Sequence, residues 1–170
     1  LVREQRTLLG DAQERWLFDQ LRSSQRAGGN WRILGQQVMF SRLALPGRPV
    51  MLADAWDGYQ AARERVLNVV EKEQIRDVAI LSGDIHSSWG FDVPRNWWAG
   101  YTAATGDGSL AVEIVAPAIS SPPLFPDPLL HAGEPVLRAS PPHLKCLAGE
   151  SHGSVLLAIT RETLQRPWYF

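Results

Sequence analysis

The feature that most constrains this chain is an alternation of amphipathic and apolar segments in its first half. Ala12, Trp16, Leu17 and Leu21 recur at helical spacing, and Gly28-Gly29-Asn30 ends that pattern. Trp31-Arg32-Ile33-Leu34 is then short and apolar and reads as a buried strand running into Gly35-Gln36-Gln37-Val38. Tyr59, Ala62, Val66, Val69 and Val70 trace a second helical face, after which Val78-Ala79-Ile80-Leu81 forms a second apolar strand closed by Ser82-Gly83. Helix, strand, helix, strand with short links predicts a parallel sheet covered by helices, so this part is α/β. Asp11 with Glu14, and Asp57 with Gln60, have the spacing of capping boxes and set the predicted helix starts. The proline- and glycine-bearing residues 41–55 read as a surface loop.

Beyond Asp84 the pattern changes. Residues 90–109 read as a loop, Leu110–Val115 as an alternating strand, and the proline-rich 117–143 as irregular chain. Ser154–Thr160 and Arg166–Phe170 read as strands around a turn at Arg161-Glu162-Thr163, which gives a β-rich tail.

Composition narrows the function classes. Seventeen basic and 18 acidic side chains among 170 residues leave a net charge of −1, so no global field favours nucleic acid or an anionic membrane. The single cysteine, Cys146, excludes an internal disulfide and a Cys₄ zinc site and reads as an incidental or buried thiol. No apolar run reaches the roughly 18 residues of a spanning helix, and the first residues carry no signal-peptide core.

In a parallel α/β sheet, ligands bind beyond the carboxyl ends of the strands. Gly35-Gln36-Gln37 and Gly83-Asp84-Ile85-His86-Ser87-Ser88-Trp89 occupy those ends. On an extended segment Asp84 and His86 would point the same way, offering a carboxylate oxygen and an imidazole nitrogen to a metal, with Ser87, Ser88 and Trp89 at a pocket rim. The alternative is that Asp84 caps a turn while His86 bonds to backbone. Gln36 and Gln37 divide evenly between turn capping and pocket. Trp16, Trp31 and the Val66–Val70 face read as core, Arg63 and Arg65 as helix surface, and His131 and His152 as solvated loop residues. Trp97-Trp98 reads as loop lining before substrate platform.

Several segments, in order, resemble the PhoD-like (alkaline phosphatase D) metallophosphatases. Leu9-Gly10-Asp11-Ala12-Gln13-Glu14-Arg15-Trp16-Leu17 is similar to that family's LG-x-x-Q-x-x-W-L helix start, and the Trp31–Val38 segment to its following strand. Asp54-Ala55-Trp56-Asp57-Gly58-Tyr59 matches D-x-W-D-G-Y, and Gly83 to Trp89 matches G-D-x-H-S-S-W. Glu113 to Ser121 resembles E-F-V-x-P-S-I-T-S, and Pro142-His143-Leu144-Lys145 resembles N-P-H-L-K.

The resemblance implies the C-terminal half of a calcineurin-like metallophosphoesterase sandwich, α/β/β/α, with all 170 residues forming the later part of one phosphatase domain. It implies metal-dependent hydrolysis of phosphate mono- and diesters, with iron and calcium as cofactors and a phosphate ester as substrate. Asp84 and His86 are the implied catalytic and metal residues; Gln37, at an earlier ligand position, and Asp54, Trp56, Tyr59, Ser87 and Ser88 are implied for the pocket. His143 is implied to position a loop. The family is commonly periplasmic or secreted. Its early D-x-H/C, G-D-x-x-D and G-N-H/D motifs have no counterpart here, so one arm of the metal site is expected. The alternative expectation is a truncated or degenerate fragment that does not catalyse and binds no metal. A sheet lacking strands would expose apolar edges, which predicts self-association or a partner.

Overall fold

The computed structural model describes residues 5–43, 52–122, 127–139 and 141–169. Helix α1 spans Asp11–Arg26 and is followed by strand β1, Arg32–Gly35. The helix does not start on an Asp11 cap: Gly10, at φ 76°, holds the cap position, and its N–H donates to Thr7 Oγ1 at 3.0 Å. Glu14, expected to close a capping box, instead pairs with Arg65 at 2.5 Å. Asp11 and Glu14 in the first turn and Arg26 in the last still suit the helix dipole.

A 3₁₀ turn at Trp56–Gly58 leads into α2, Gln60–Lys72. The start expected at Asp57 is displaced because Asp57 is buried and its Oδ1 accepts from Arg42 Nε at 3.2 Å. The predicted apolar face holds: Ala62, Val66 and Val70 are buried, with Leu67 beside them, against Val78 and Ile80 of β2, Val78–Ser82. Each such valine or leucine side chain contributes about 2 kcal/mol on burial. Arg63 lies on this face and is 2% exposed, which corrects its reading as helix surface. Trp16 is corrected the other way, being 59% exposed, and Trp31 is half-buried.

Strands β3 (Ser88–Pro94), β4 (Ser109–Val115) and β5 (Leu144–Ala148) complete a five-stranded sheet of order β1-β2-β4-β3-β5. β1 and β2 are parallel, as expected, and β4 continues the parallel run, while β3 runs antiparallel to both neighbours. β3 occupies the first part of what reads in sequence as a loop. Trp89, Phe91 and Val93 alternate into the core, but Gly90 and Asp92 between them mask the pattern. Helix α3, Asp127–Ala139, likewise replaces much of the expected irregular segment, despite Pro135 within it, and includes His131. β5 was also unexpected. Of the predicted 41–55 surface loop, residues 44–51 lie outside the described residues, whereas Ser41, Leu43 and Ala55 are buried.

The tail folds back as a hairpin whose strands are β6 (Ser154–Val155), β7 (Ala158–Ile159), β8 (Leu164–Gln165) and β9 (Trp168–Tyr169). The expected strand from 154 to 160 is thus broken in two, around the expected turn, where Thr160 N–H donates to Thr163 O at 2.9 Å. The hairpin reaches the amino end of β1, where Trp31 Nε1–H donates to Thr160 O at 2.8 Å. Its Arg166 guanidinium occupies the space over Gly90, 2.8 Å from where a Cβ would stand. The sheet therefore carries α1 and α2 on one face and the tail across the other, a β-rich α/β arrangement. Two clusters form the core, one of α2 with β2, the other joining Met39, Ile85, Trp89, Phe91 and Leu147.

Candidate active site

Because β1, β2 and β4 are parallel, their carboxyl ends lie together. The loops leaving them are tied backbone to backbone. Gln36 N–H donates to Leu81 O at 3.0 Å, Gly83 N–H to Gln37 O at 3.1 Å, and Ala116 N–H to Ser82 O at 2.8 Å. The two sequence segments singled out as strand-end loops are therefore neighbours in space.

The Asp84–His86 segment is not extended, which corrects the geometry expected of it. Asp84 has φ 70° and His86 φ 57°, both left-handed, and Ile85 N–H between them donates to Gly83 O at 2.9 Å. Ile85 is 3% exposed and locks into the second core cluster, so the turn is pinned from beneath while Asp84 stands exposed and His86 half-buried. Two left-handed non-glycine residues in one turn are sparsely populated backbone that persists only where the surroundings over-determine it. His86 Nδ1 lies 2.9 Å from Pro122 O. A carbonyl can only accept, so Nδ1 carries a proton, and in the neutral ring Nε2 holds the lone pair. His152 is exposed, as expected of a solvated loop residue, and its Nε2 lies 2.8 Å from Ser121 O, the carbonyl next to that of Pro122.

Ser87 and Ser88 do not form a rim. Both are buried: the Ser87 hydroxyl donates to Ile85 O at 3.1 Å and accepts from Trp89 Nε1 at 2.7 Å, bracing the turn, and Ser88 lies within the sheet. Gln36, not Gln37, makes the side-chain contact at the end of β1, its Oε1 accepting from Trp56 Nε1 at 2.8 Å. Gln37 presents an exposed side chain, and both glutamines and Trp56 line a groove of about 400 Å³ beside α1. Asp54 is exposed, and Tyr59 is half-buried beneath the Arg6 guanidinium, 4.0 Å from its ring centroid.

Behind the strand ends lies a buried polar group that the sequence reading missed. Glu113, 1% exposed on β4, accepts from Phe40 N–H at 2.8 Å, Ser41 N–H at 2.7 Å and Ser82 Oγ at 2.5 Å. Arg63 Nε donates to Phe40 O at 2.9 Å; burial lowers its guanidinium to about 10, which leaves it a cation at neutral pH. His143 is 2% exposed, stacked on Trp97 at 4.4 Å between ring centroids, with Nε2 3.0 Å from Arg42 O. Burial pushes its pKa down to about 4, so it is a neutral donor to that carbonyl and holds the Arg42 loop, the positioning role expected of it. A glutamate within an otherwise apolar strand and an arginine on the apolar face of a helix were the signals available for Glu113 and Arg63.

Asp84 and His86 offer a carboxylate oxygen and an imidazole nitrogen, donor types that suit iron and, for the oxygen, calcium. Among the described residues, no group of three or more His, Cys, Asp or Glu side chains gathers as a metal site would require. These residues therefore do not by themselves fit a complete iron or calcium centre. Also among the described residues, no helix is long and apolar enough to cross a membrane.

Comparison with known proteins places these features in a family. The chain is 43% identical over 86 residues to alkaline phosphatase D of Bacillus subtilis (strain 168), an alignment covering 49% of this chain and 14% of that protein. It superposes on the solved structure of PhoD with a TM-score of 0.74 and 27% identity, covering 93% of this chain and 28% of that one. The chain thus spans less than a third of either relative. The family model for PhoD-like phosphatase matches residues 1–168, and the chain belongs to that family.

Proposed function

We propose that these residues form one side of the active site of a phosphate mono- or diester hydrolase, with Asp84 and His86 as its catalytic residues. The observation that carries this reading is the turn itself. Asp84 and His86 are both held in left-handed backbone at the carboxyl end of a central parallel strand, flanking a buried Ile85. Backbone of this kind at two non-glycine residues persists only where the surrounding fold holds it, and it clusters at functional sites. The family membership supports the reaction class, and the strand-end placement supports the choice of site.

In this reading the exposed Asp84 carboxylate orients a nucleophilic water or a donor group of the substrate by accepting its hydrogen bonds. His86, its Nδ1–H fixed on Pro122 O, presents Nε2 to take or return a proton at the phosphoryl or leaving oxygen. Gln37 and Trp56 line the adjoining groove. Metal dependence belongs to the same proposal, with iron and calcium as the family's metals. The remaining donors would come from residues other than those described, so the chain by itself would be neither metal-loaded nor active. The parent protein would be exported, as is common in the family.

The test uses the full-length protein and a chromogenic phosphodiester. Asn tolerates left-handed backbone, so Asp84→Asn and His86→Asn remove the chemistry while keeping the turn. Each should lower kcat/KM by about 10²-fold or more with little change in thermal midpoint. Activity within a few fold of wild type in both variants would remove the assignment.

A further inference from the structure

We infer that Glu113 is a positioning residue, acting through Ser82 to hold the Asp84–His86 turn; this rests on the phosphatase reading above. Glu113 accepts from three donors, each on the chain just beyond a strand end or at it. Two are the consecutive N–H groups of Phe40 and Ser41, in the segment that follows β1. The third is the hydroxyl of Ser82, the last residue of β2 and the one that immediately precedes Gly83. The register places Glu113 beside Ile80 in β2 and Phe91 in β3, so its carboxylate sits one pleat behind the turn, on the face shared with Ser82.

A buried carboxylate is costly unless its lone pairs are met, and here they are met by groups whose positions define the site floor. Packing alone would be served by an apolar residue, as Ala111 and Val115 serve on the same face of β4. The left-handed residues Asp84 and His86 need a strand end that cannot relax. Backbone bonds from Gly83 to Gln37 and from Ala116 to Ser82 supply part of that constraint. The Ser82–Glu113 bond supplies a part that a substitution can remove without changing any residue of the turn itself. It also links the turn to the Phe40–Ser41 segment, whose Phe40 carbonyl accepts from the buried Arg63.

The experiment compares Ser82→Ala, Ser82→Thr and Glu113→Gln in the full-length protein. Ser82→Ala leaves Glu113 its two backbone donors and should fold. It should lower kcat for a chromogenic phosphate ester by about 10-fold to 100-fold through misplacement of the turn, with KM changed far less. Ser82→Thr restores the hydroxyl and should recover most of kcat. Glu113→Gln sets an amide N–H against a backbone N–H and should lower both kcat and the thermal midpoint. The backbone amide resonances of Asp84 and His86, followed by NMR, should shift in Ser82→Ala and return in Ser82→Thr. Unchanged resonances of Asp84 and His86 in Ser82→Ala, or a lowered thermal midpoint with kcat of the folded enzyme intact, would overturn the positioning role. A wild-type protein that hydrolyses no phosphate ester would instead remove the phosphatase reading, and the resonances would still decide whether Ser82 and Glu113 hold the turn.

Discussion

His143 shows how a single buried side chain sets a pH limit on this fold. Its imidazole is stacked on Trp97 and faces Phe91 at 5.7 Å, its Nε2–H is used on Arg42 O, and its Nδ1 has no partner among the described residues. Burial opposes a proton there, the hydrogen bond to the Arg42 carbonyl and the Asp92 charge favour one, and the Arg63 and Arg42 charges side with burial, which lowers the pKa from 6.5 to about 4. Above pH 6.5 the ring is neutral in both folded and unfolded chains, so it adds no pH dependence. As pH falls from about 6.5 to about 4, the unfolded chain binds a proton that the native ring refuses, and stability is lost over that window. The loss is of order 3 kcal/mol, one pKa unit being about 1.4 kcal/mol. Thermal midpoints measured between pH 7 and pH 4 should fall more steeply in the wild type than in His143→Phe, which keeps the stacked ring without a titratable nitrogen. Parallel slopes would show that His143 does not carry the acid sensitivity. The histidine was visible in the sequence as a loop-positioning residue, but its burial was not, because the Trp97 that covers it is distant in the chain.

At the scale of elements, two glycines distinguish close approaches that differ in kind. A Cβ on Gly58 would lie 1.8 Å from the Ala53 carbonyl oxygen, so the 3₁₀ turn that starts α2 closes only around a glycine. A Cβ on Gly90 would lie 2.8 Å from the tip of the Arg166 side chain, which can move. Gly58→Ala should therefore destabilise by several kcal/mol and Gly90→Ala by about 1 kcal/mol, as read from denaturant midpoints. Equal effects would contradict the distinction between backbone and side-chain neighbours. The same contrast explains what was legible in sequence. α1, β1, α2, β2 and β4 each carry a local period and were readable. β3 was hidden because Gly90 and Asp92, on the face covered by the tail, break the apolar run; β5, which among the described residues pairs with β3 alone, was hidden with it. At the candidate site, Asp84 and His86 could be singled out in sequence from their place at a strand end. Their left-handed backbone was not, since it depends on Ile85 being drawn into a cluster with Met39, Trp89 and Leu147. Glu113 was passed over because its three donors come from two other segments.

At the scale of the whole molecule, β1 is an edge. Among the described residues it pairs with β2 alone, and its other side faces the groove beside α1, where Trp16 is 59% and Ile33 43% exposed. Among the described residues, the tail hairpin hydrogen-bonds to Asn30 and Trp31, just before this strand begins. An open strand edge next to exposed aromatic and aliphatic surface templates further pairing, and a net charge of −1 gives little repulsion to oppose it. The 170-residue chain on its own should therefore self-associate as its concentration rises through the micromolar range, measured by sedimentation velocity. Ile33→Lys places a charge on that edge and should shift the chain toward monomer without lowering its thermal midpoint, because Ile33 is already partly solvated. In a longer protein that covers β1 with further chain, the same substitution would bury the lysine and lower the midpoint instead. The pair of measurements thus separates an edge left open from an edge completed elsewhere in the polypeptide, and a chain that stays monomeric at every concentration would show that β1 is not an adhesive edge.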